Sequence, residues 1–242
     1  MSRDDIYAAP HDQLGEFVFD ARVANVFGDM IQRSVPGYAT TISTISELAA
    51  RYCQPNSKAY DLGCSLGAAT LAMRHSIQAE GVEIIAVDNS AAMVERCQLN
   101  IDTDTATVPV SVVMADVQDV EISNASLVIL NFTLQFIAVE ERLALLKKAC
   151  DGLRPGGKLV LSEKVIFPDP YLNDLNIDLH HRFKKAHGYS DLEIAQKRSA
   201  LDNMLIPETV EQHKKRLVEA GFDRVDVWFQ CFNFMSMIAV KA

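Results

Sequence analysis

The chain has 242 residues, of which 49% are hydrophobic and 23% are charged, and its formal net charge at pH 7 is −9. This length and composition predict a soluble globular protein with one sizeable core. An acidic chain lacks the basic footprint that RNA or DNA binding requires, which argues against direct nucleic-acid binding. No apolar run reaches the roughly 18 residues of a membrane span, and residues 1–10 show no signal-peptide pattern, so we expect a cytoplasmic protein.

Residues 1–55 predict a helical cap at the N-terminus. The segment 38–52 has apolar residues at a helical period, and the break at Pro36 and Gly37 precedes it. Tyr38 follows this break directly. Two roles fit a tyrosine at this position: a lid residue over a ligand, or a side chain that packs the start of the helix.

Residues 56–165 alternate strands with helices, which predicts βαβ units and a parallel sheet. Residues 155–157 (Pro-Gly-Gly) predict a turn before the fifth strand. Residues 166–220 predict a helical insertion, with its clearest helices at 189–203 and 208–220, and residues 221–242 predict an antiparallel hairpin. The whole chain, 1–242, is therefore expected to form one α/β domain with a Rossmann-like, mostly parallel seven-stranded sheet. The predicted strands are 58–62, 83–88, 108–114, 125–131, 158–162, 224–230 and 232–240.

A short glycine-rich loop follows the first strand, in the order Asp61, Gly63, Cys64, Ser65, Gly67. Glycine residues permit a positive φ and, because they lack a side chain, let a ligand come close to the backbone. A ligand can therefore lie against backbone N–H groups at the start of the next helix. The loop is not the dinucleotide fingerprint G-x-G-x-x-G. A carboxylate at position 61 repels a pyrophosphate but pairs with an amino group, which favours S-adenosylmethionine (SAM) over NAD. A tight turn without a ligand is the alternative.

Polar side chains stand at the carboxyl ends of four predicted strands, where open parallel sheets bind ligands. Asp88 comes 21 residues after Gly67, near the spacing of a carboxylate that holds ribose hydroxyls. Asp116 can accept a hydrogen bond from an adenine amino group, with the Val117 backbone beside it. The set at the strand ends is Asp61, Asp88 with Asn89, Asp116 and Asn131. Their combination indicates SAM more strongly than the loop alone.

Several stretches together resemble the class I SAM-dependent methyltransferases. They are residues 61–67, 86–90, 115–117, 130–136 and 153–163. The flanking segments 31–38, 188–190, 196–199 and 228–234 resemble one family within that fold, the carboxy-S-adenosyl-L-methionine (carboxy-SAM) synthases. The resemblance extends over essentially the whole chain.

This resemblance implies that SAM is a substrate, that prephenate supplies a carboxyl group, and that the products are carboxy-SAM and phenylpyruvate. It also implies a homodimer, and a separate enzyme that uses carboxy-SAM to modify the wobble uridine of tRNA. The site residues that it implies are Tyr38, Gly63, Cys64, Ser65, Asp88, Asn89, Asp116, Val117, Asn131 and Arg198. Arg198 is the expected catalytic residue, because guanidinium binds carboxylate in a fork. Whether it acts in its own subunit or across the dimer is open.

Two other functions remain open from the residues: a SAM-dependent methyltransferase acting on a small molecule, and a SAM-binding module that regulates a partner. Lys164 and Lys197 either assist the carboxylates of prephenate or are ordinary solvated lysines. Five cysteines without C-x-x-C spacing, and histidines at 180, 181 and 187, match no standard site, so we expect no metal. The charged surroundings of the histidines favour an exposed or ligand-facing helix. Aromatic residues expected in the core are Phe132, Phe136 and Trp228.

Overall fold

The computed structural model describes residues 2–10, 15, 17–202 and 204–242. Within them, eight α-helices surround one seven-stranded sheet. The helices are α1 Ala21–Ser34, α2 Tyr38–Tyr52, α3 Ala68–Ser76, α4 Ala91–Thr103, α5 Val139–Gly152, α6 Pro170–Ala186, α7 Asp191–Leu201 and α8 Val210–Glu219. The strands are β1 Lys58–Leu62, β2 Glu83–Asp88, β3 Val110–Met114, β4 Ala125–Asn131, β5 Leu153–Lys164, β6 Arg224–Cys231 and β7 Phe234–Val240.

The strand order is β3-β2-β1-β4-β5-β7-β6. Strands β1 to β5 pair in parallel, and β7 pairs antiparallel with both β5 and β6. The predicted mostly parallel sheet with a C-terminal antiparallel hairpin is therefore confirmed. Because β1 has β2 on one side and β4 on the other, the winding reverses there, which opens a crevice at the carboxyl ends of these strands.

Two apolar layers cover the two faces of the sheet. Along β4, Val128 and Leu130 pack into one layer, and Leu127 and Ile129 pack into the other. All four side chains are fully buried. This strand is a near-continuous apolar run because both of its faces are covered, as in parallel sheets generally.

Strand β5 differs from its prediction, because it begins at Leu153 and includes the predicted turn at 155–157. Its pairing with β4 jumps from Leu153 opposite Ala125 to Lys158 opposite Leu127. The chain bulges out between these two points and continues as the same strand. The proline and the glycines therefore mark a bulge, which is a second use of such residues in sheets.

The segment 166–220 contains α6, α7 and α8, of which α6 is the longest. Asp169 caps α6 by accepting from the Leu172 N–H, and Pro170 occupies its first position, where a missing N–H costs nothing. Asn203, predicted at the end of the next helix, lies outside the described residues. No described helix is long and apolar enough to cross a membrane. The division of residues 1–242 into cap, core, insertion and hairpin stays a prediction.

Candidate functional site

A cavity of about 600 Å³ lies over the carboxyl ends of the parallel strands. This volume is within the range of small-molecule sites. Ten of the predicted site residues line it: Tyr38, Asp61, Gly63, Cys64, Ser65, Asp88, Asn89, Asp116, Val117 and Asn131. Arg198 is not among the described residues that line this cavity.

The glycine loop is held by its own hydrogen bonds and by Asp88. The N–H groups of Gly63 and Cys64 both donate to the Val87 carbonyl, and the Gly67 N–H donates to the Cys64 carbonyl. The Ser65 N–H donates to Asp88 Oδ2 over 2.9 Å. These four donors are thus used within the protein, whereas the expectation of ligand contact concerned the start of α3, where Ala68 and Ala69 line the cavity. The loop instead presents a rigid wall to the cavity, and Asp88 fixes its position.

Gly63 is required in this loop for two reasons. Its φ of +85° lies in the left-handed region that favours glycine. A Cβ added there would lie 2.2 Å from Thr133 Oγ1, closer than any real contact. The loop therefore packs directly against the segment that follows β4.

Cys64 is unsuited to act as a nucleophile. Its thiol lies 4.0 Å from Cys97 Sγ. The hydrogen bond with Cys97 and burial both raise the pKa of the Cys64 thiol, so it stays protonated. Its side chain is buried, and its position in the loop fits a small residue.

Asp61 provides a buried negative charge at the end of β1. Its side chain is 1% exposed and accepts a hydrogen bond from Thr70 Oγ1 over 2.6 Å. Burial raises its pKa to about 6, so it is mainly a carboxylate at neutral pH. Burial and the charge of Asp61 raise the pKa of Tyr38, which keeps the phenol protonated and able to donate.

The remaining strand ends supply further polar groups. Asn131 Oδ1, at the end of β4, is buried and has no hydrogen-bond partner among the described residues. Asn89 Nδ2 donates to Asp116 Oδ1 over 2.7 Å, so the ends of β2 and β3 are joined. A free buried acceptor and a buried carboxylate suit the ammonium of a methionine moiety. These residues therefore fit SAM.

Aromatic rings form much of the apolar wall of the cavity. Phe132 and Phe136, predicted as core residues, line it instead. Phe132 has a φ of +63° and packs edge-on against Phe234, with 5.9 Å between ring centroids. Phe19 and Phe27 from the N-terminal region also line the cavity, and no local sequence signal indicated this because their placement depends on tertiary packing.

The other part of the cavity carries amino groups. Lys164, Lys184 and Lys197 all line it. Lys197 is 7% exposed and donates to Ser34 Oγ over 3.2 Å. The interpretation of Lys197 as an ordinary solvated lysine is therefore wrong, and Lys164 is half-buried. Burial, the largest cause, lowers the pKa of Lys184 to about 7 and that of Lys197 to about 8.

Histidine 180 also lies in this region, and it is buried. Its Nε2–H donates to the Ser34 carbonyl over 2.8 Å, and burial lowers its pKa, so the ring is neutral. The alternative of an exposed helix is therefore wrong for His180, which lines the cavity. In the described part of the chain, no group of three or more His, Cys, Asp or Glu residues is arranged to hold a metal ion.

Arg198 lies on α7 with a side chain that is 56% exposed, and its Nε is 4.0 Å from Asp202 Oδ1. Burial lowers the pKa values of Lys164 and Lys184, and the positive charge of Arg198 lowers them further. The arginine is therefore close to the lysines that line the cavity, although it does not line the cavity itself. Its role in binding a carboxylate stays a prediction.

Comparison with known proteins agrees with this architecture. A family model described as a methyltransferase domain matches residues 59–157. A protein of Photobacterium profundum named carboxy-S-adenosyl-L-methionine synthase is 62% identical over 99% of this chain and 98% of its own length. One of the same name from Vibrio cholerae is 59% identical over 99% of this chain. The chain belongs to the carboxy-SAM synthase family.

Solved structures support the fold. A putative SAM-dependent methyltransferase from Methanococcus maripaludis superposes with a TM-score of 0.59 at 20% identity, covering 97% of this chain and 98% of that one. Human N-acetylserotonin methyltransferase, solved with SAM, gives a TM-score of 0.61 at 16% identity, covering 92% of this chain and 55% of the human chain. At these identities the likeness concerns the fold alone, and it confirms the predicted class I methyltransferase fold.

Proposed function

We propose that this protein is a carboxy-SAM synthase that converts SAM and prephenate to carboxy-SAM and phenylpyruvate. The observation that carries the proposal is the identity of about 60%, over nearly the whole chain, to relatives named for this product. The site supports it, because one cavity combines a buried acceptor region suited to the SAM cation with a basic region suited to an anionic second substrate.

The proposed reaction balances without a protein general base. Prephenate aromatises to phenylpyruvate by losing CO2 and its ring hydroxyl. The departing hydroxide takes a proton from the SAM methyl group and becomes water, which leaves a sulfonium ylide. The ylide carbon attacks CO2 and forms the new C–C bond of carboxy-SAM. The protein positions the reactants and excludes water, so that CO2 is captured before it escapes.

The predicted site residues take these roles in the proposal. Asp88 binds the ribose hydroxyls, and Asp116 with the Val117 backbone binds adenine. Asp61 and Asn131 hold the methionine ammonium, and Tyr38 closes that side of the site. The loop at Gly63, Cys64 and Ser65 shapes the wall, and Asn89 orients Asp116 through their 2.7 Å hydrogen bond.

Arg198 binds the new carboxylate of carboxy-SAM in this proposal. A guanidinium suits a carboxylate because two parallel N–H groups meet two oxygens. Arg198 is exposed and does not line the cavity of its own subunit. This position suits an arginine that contributes to the site of a second subunit. We include a homodimer, a cytoplasmic location, and transfer of the product to a tRNA-modifying enzyme in the proposal on the strength of the family resemblance.

The test is to incubate the purified protein with SAM and prephenate and to analyse the nucleoside products by mass spectrometry. The proposal expects a species heavier than SAM by one CO2, together with phenylpyruvate. Formation of S-adenosylhomocysteine and a methylated acceptor instead would favour the small-molecule methyltransferase. Tight SAM binding without any turnover would favour the regulatory module.

A further inference from the structure

Three lysines converge on one part of the cavity from three different elements. Lys164 ends β5, Lys184 lies in the last turn of α6, and Lys197 lies on α7. All three line the cavity that contains the proposed SAM residues. Because the whole chain carries a net charge of −9, this cluster reverses the overall charge locally.

The three lysines differ in how their ammonium groups are satisfied. Lys197 contacts Ser34 Oγ at 3.2 Å and Asp4 Oδ2 at 3.5 Å. The Nζ atoms of Lys164 and Lys184 have no hydrogen-bond or ion-pair partner among the described residues. Lys184 is 9% exposed and Lys164 is half-buried, and both line the cavity. An ammonium group that is largely removed from water and has no partner is costly, so two of them on one cavity indicate an anionic ligand.

The charged groups around the two lysines leave this region basic. Burial lowers the pKa of Lys184, and the like charges of Lys197 and Arg198 lower it further. Asp202 is an acid near Lys164, and Asp4 is engaged by Lys197. His180 is neutral. Neither unpartnered lysine is neutralised by a carboxylate in direct contact.

We propose that Lys164 and Lys184 form the subsite for the 2-oxo-acid carboxylate of the second substrate. This inference rests on the proposed function, in which that substrate is prephenate. Prephenate carries two carboxylates, of which one leaves as CO2 and the other is retained in the product. The ring carboxylate must leave as CO2, and an ammonium bound to it would stabilise the charged ground state and slow its loss. The 2-oxo-acid carboxylate persists in phenylpyruvate and can be held throughout the reaction.

The walls of the cavity match this division. The ring carboxylate of prephenate loses its charge in an apolar environment more readily than in a polar one, and Phe19, Phe132 and Phe136 supply apolar surface in the same cavity. The lysines then anchor the side chain that does not react. In this proposal the subsite orients the substrate with its leaving carboxylate towards the SAM methyl group.

Phenylpyruvate tests the subsite without turnover, because it retains only the carboxylate assigned to the lysines. We would measure its binding by calorimetry in the presence of S-adenosylhomocysteine, for wild type, Lys184→Met and Lys164→Met. The loss of a charge-assisted hydrogen bond predicts that each variant binds phenylpyruvate about 10- to 100-fold more weakly. S-adenosylhomocysteine affinity should stay within about twofold in each.

Lys185→Met is the matched control. Lys185 is the next residue on α6, but it pairs with Asp191 at 2.5 Å and does not line the cavity. It should leave phenylpyruvate affinity unchanged. The melting temperature of Lys184→Met should equal or exceed that of wild type, because methionine removes an unpartnered buried charge. Lys164→Met tests the subsite on a different element if one variant folds poorly.

Equal phenylpyruvate affinity in wild type and in both variants would overturn the subsite. A rise in the prephenate KM of the variants without any loss of phenylpyruvate affinity would also overturn it, because the lysines would then serve the leaving carboxylate. These binding measurements do not depend on whether the wild-type protein forms carboxy-SAM, and it is that activity which tests the proposed function. A wild-type enzyme that forms carboxy-SAM beside variants of unchanged affinity would refute the subsite alone.

Discussion

Replacing Gly63 by alanine should damage the SAM site through two separate effects. At a φ of +85° a side chain costs about 1–2 kcal/mol. The new Cβ would also lie 2.2 Å from Thr133 Oγ1 and 2.6 Å from its Cγ2. Relief of such a contact typically costs about 1–3 kcal/mol. Together they predict that Gly63→Ala lowers the free energy of unfolding by about 2–5 kcal/mol.

Gly156→Ala separates the two effects. Gly156 has a similar φ of +74°, but an added Cβ would meet no atom within 4 Å. This control should therefore lose only the conformational part, about 1–2 kcal/mol. Adding Thr133→Ala to Gly63→Ala removes the two nearest contacts, and it should recover part of the steric cost.

Urea unfolding gives the stabilities, and calorimetry with S-adenosylhomocysteine gives the affinities. We expect Gly63→Ala to weaken ligand binding, because the loop forms a wall of the cavity, and Gly156→Ala to leave it unchanged. The close packing of the loop against Thr133 is refuted if Gly63→Ala lowers the free energy of unfolding no more than Gly156→Ala does. It is also refuted if adding Thr133→Ala to Gly63→Ala restores none of the lost free energy.

Three further predictions concern individual side chains. Burial raises the pKa of Asp61 to about 6, so the carboxylate that pairs with the ammonium of the ligand is lost as the pH falls through this value. The affinity for S-adenosylhomocysteine, measured by calorimetry, should therefore fall below about pH 6 in wild type and should not change in Asp61→Asn. Arg142→Met should lower the free energy of unfolding in urea by about 3–5 kcal/mol, since Glu208 keeps only Arg216 as an ion-pair partner and three backbone carbonyls lose the Arg142 donor, while exposed Lys147→Met on the same helix should cost almost nothing. Arg198→Lys should lower kcat/KM at least about tenfold at unchanged S-adenosylhomocysteine affinity, because lysine lacks the guanidinium fork; an unchanged rate would contradict its role.

Features that depend on local sequence could be predicted well. Ser90 precedes α4 and accepts from the Met93 N–H, as a serine N-cap typically does. The polar residues at the ends of β1 to β4 meet in one cavity because parallel strands place their carboxyl ends at one edge. Apolar runs indicated the strands because both faces of the sheet are covered.

Features that depend on tertiary packing could not be predicted. Lysines are mostly exposed, so nothing local indicated that Lys184 and Lys197 become buried when α6 and α7 fold over the cavity. The bulge of β5 at 155–157 depends on its pairing with β4, and a Pro-Gly-Gly run alone indicates a turn. The hydrogen bonds by which Val87, Asp88 and Cys64 hold the glycine loop also depend on how the loop packs against β2.

The source of the transferred carboxyl group tests the central claim most directly. We would incubate the enzyme with SAM and prephenate that carries a carbon-13 label in its ring carboxylate, in buffer that contains unlabelled bicarbonate. Capture of CO2 inside a closed site predicts that the carboxy-SAM formed retains the label. Unlabelled carboxy-SAM, or conversion of SAM to S-adenosylhomocysteine without carboxylation, would contradict this account.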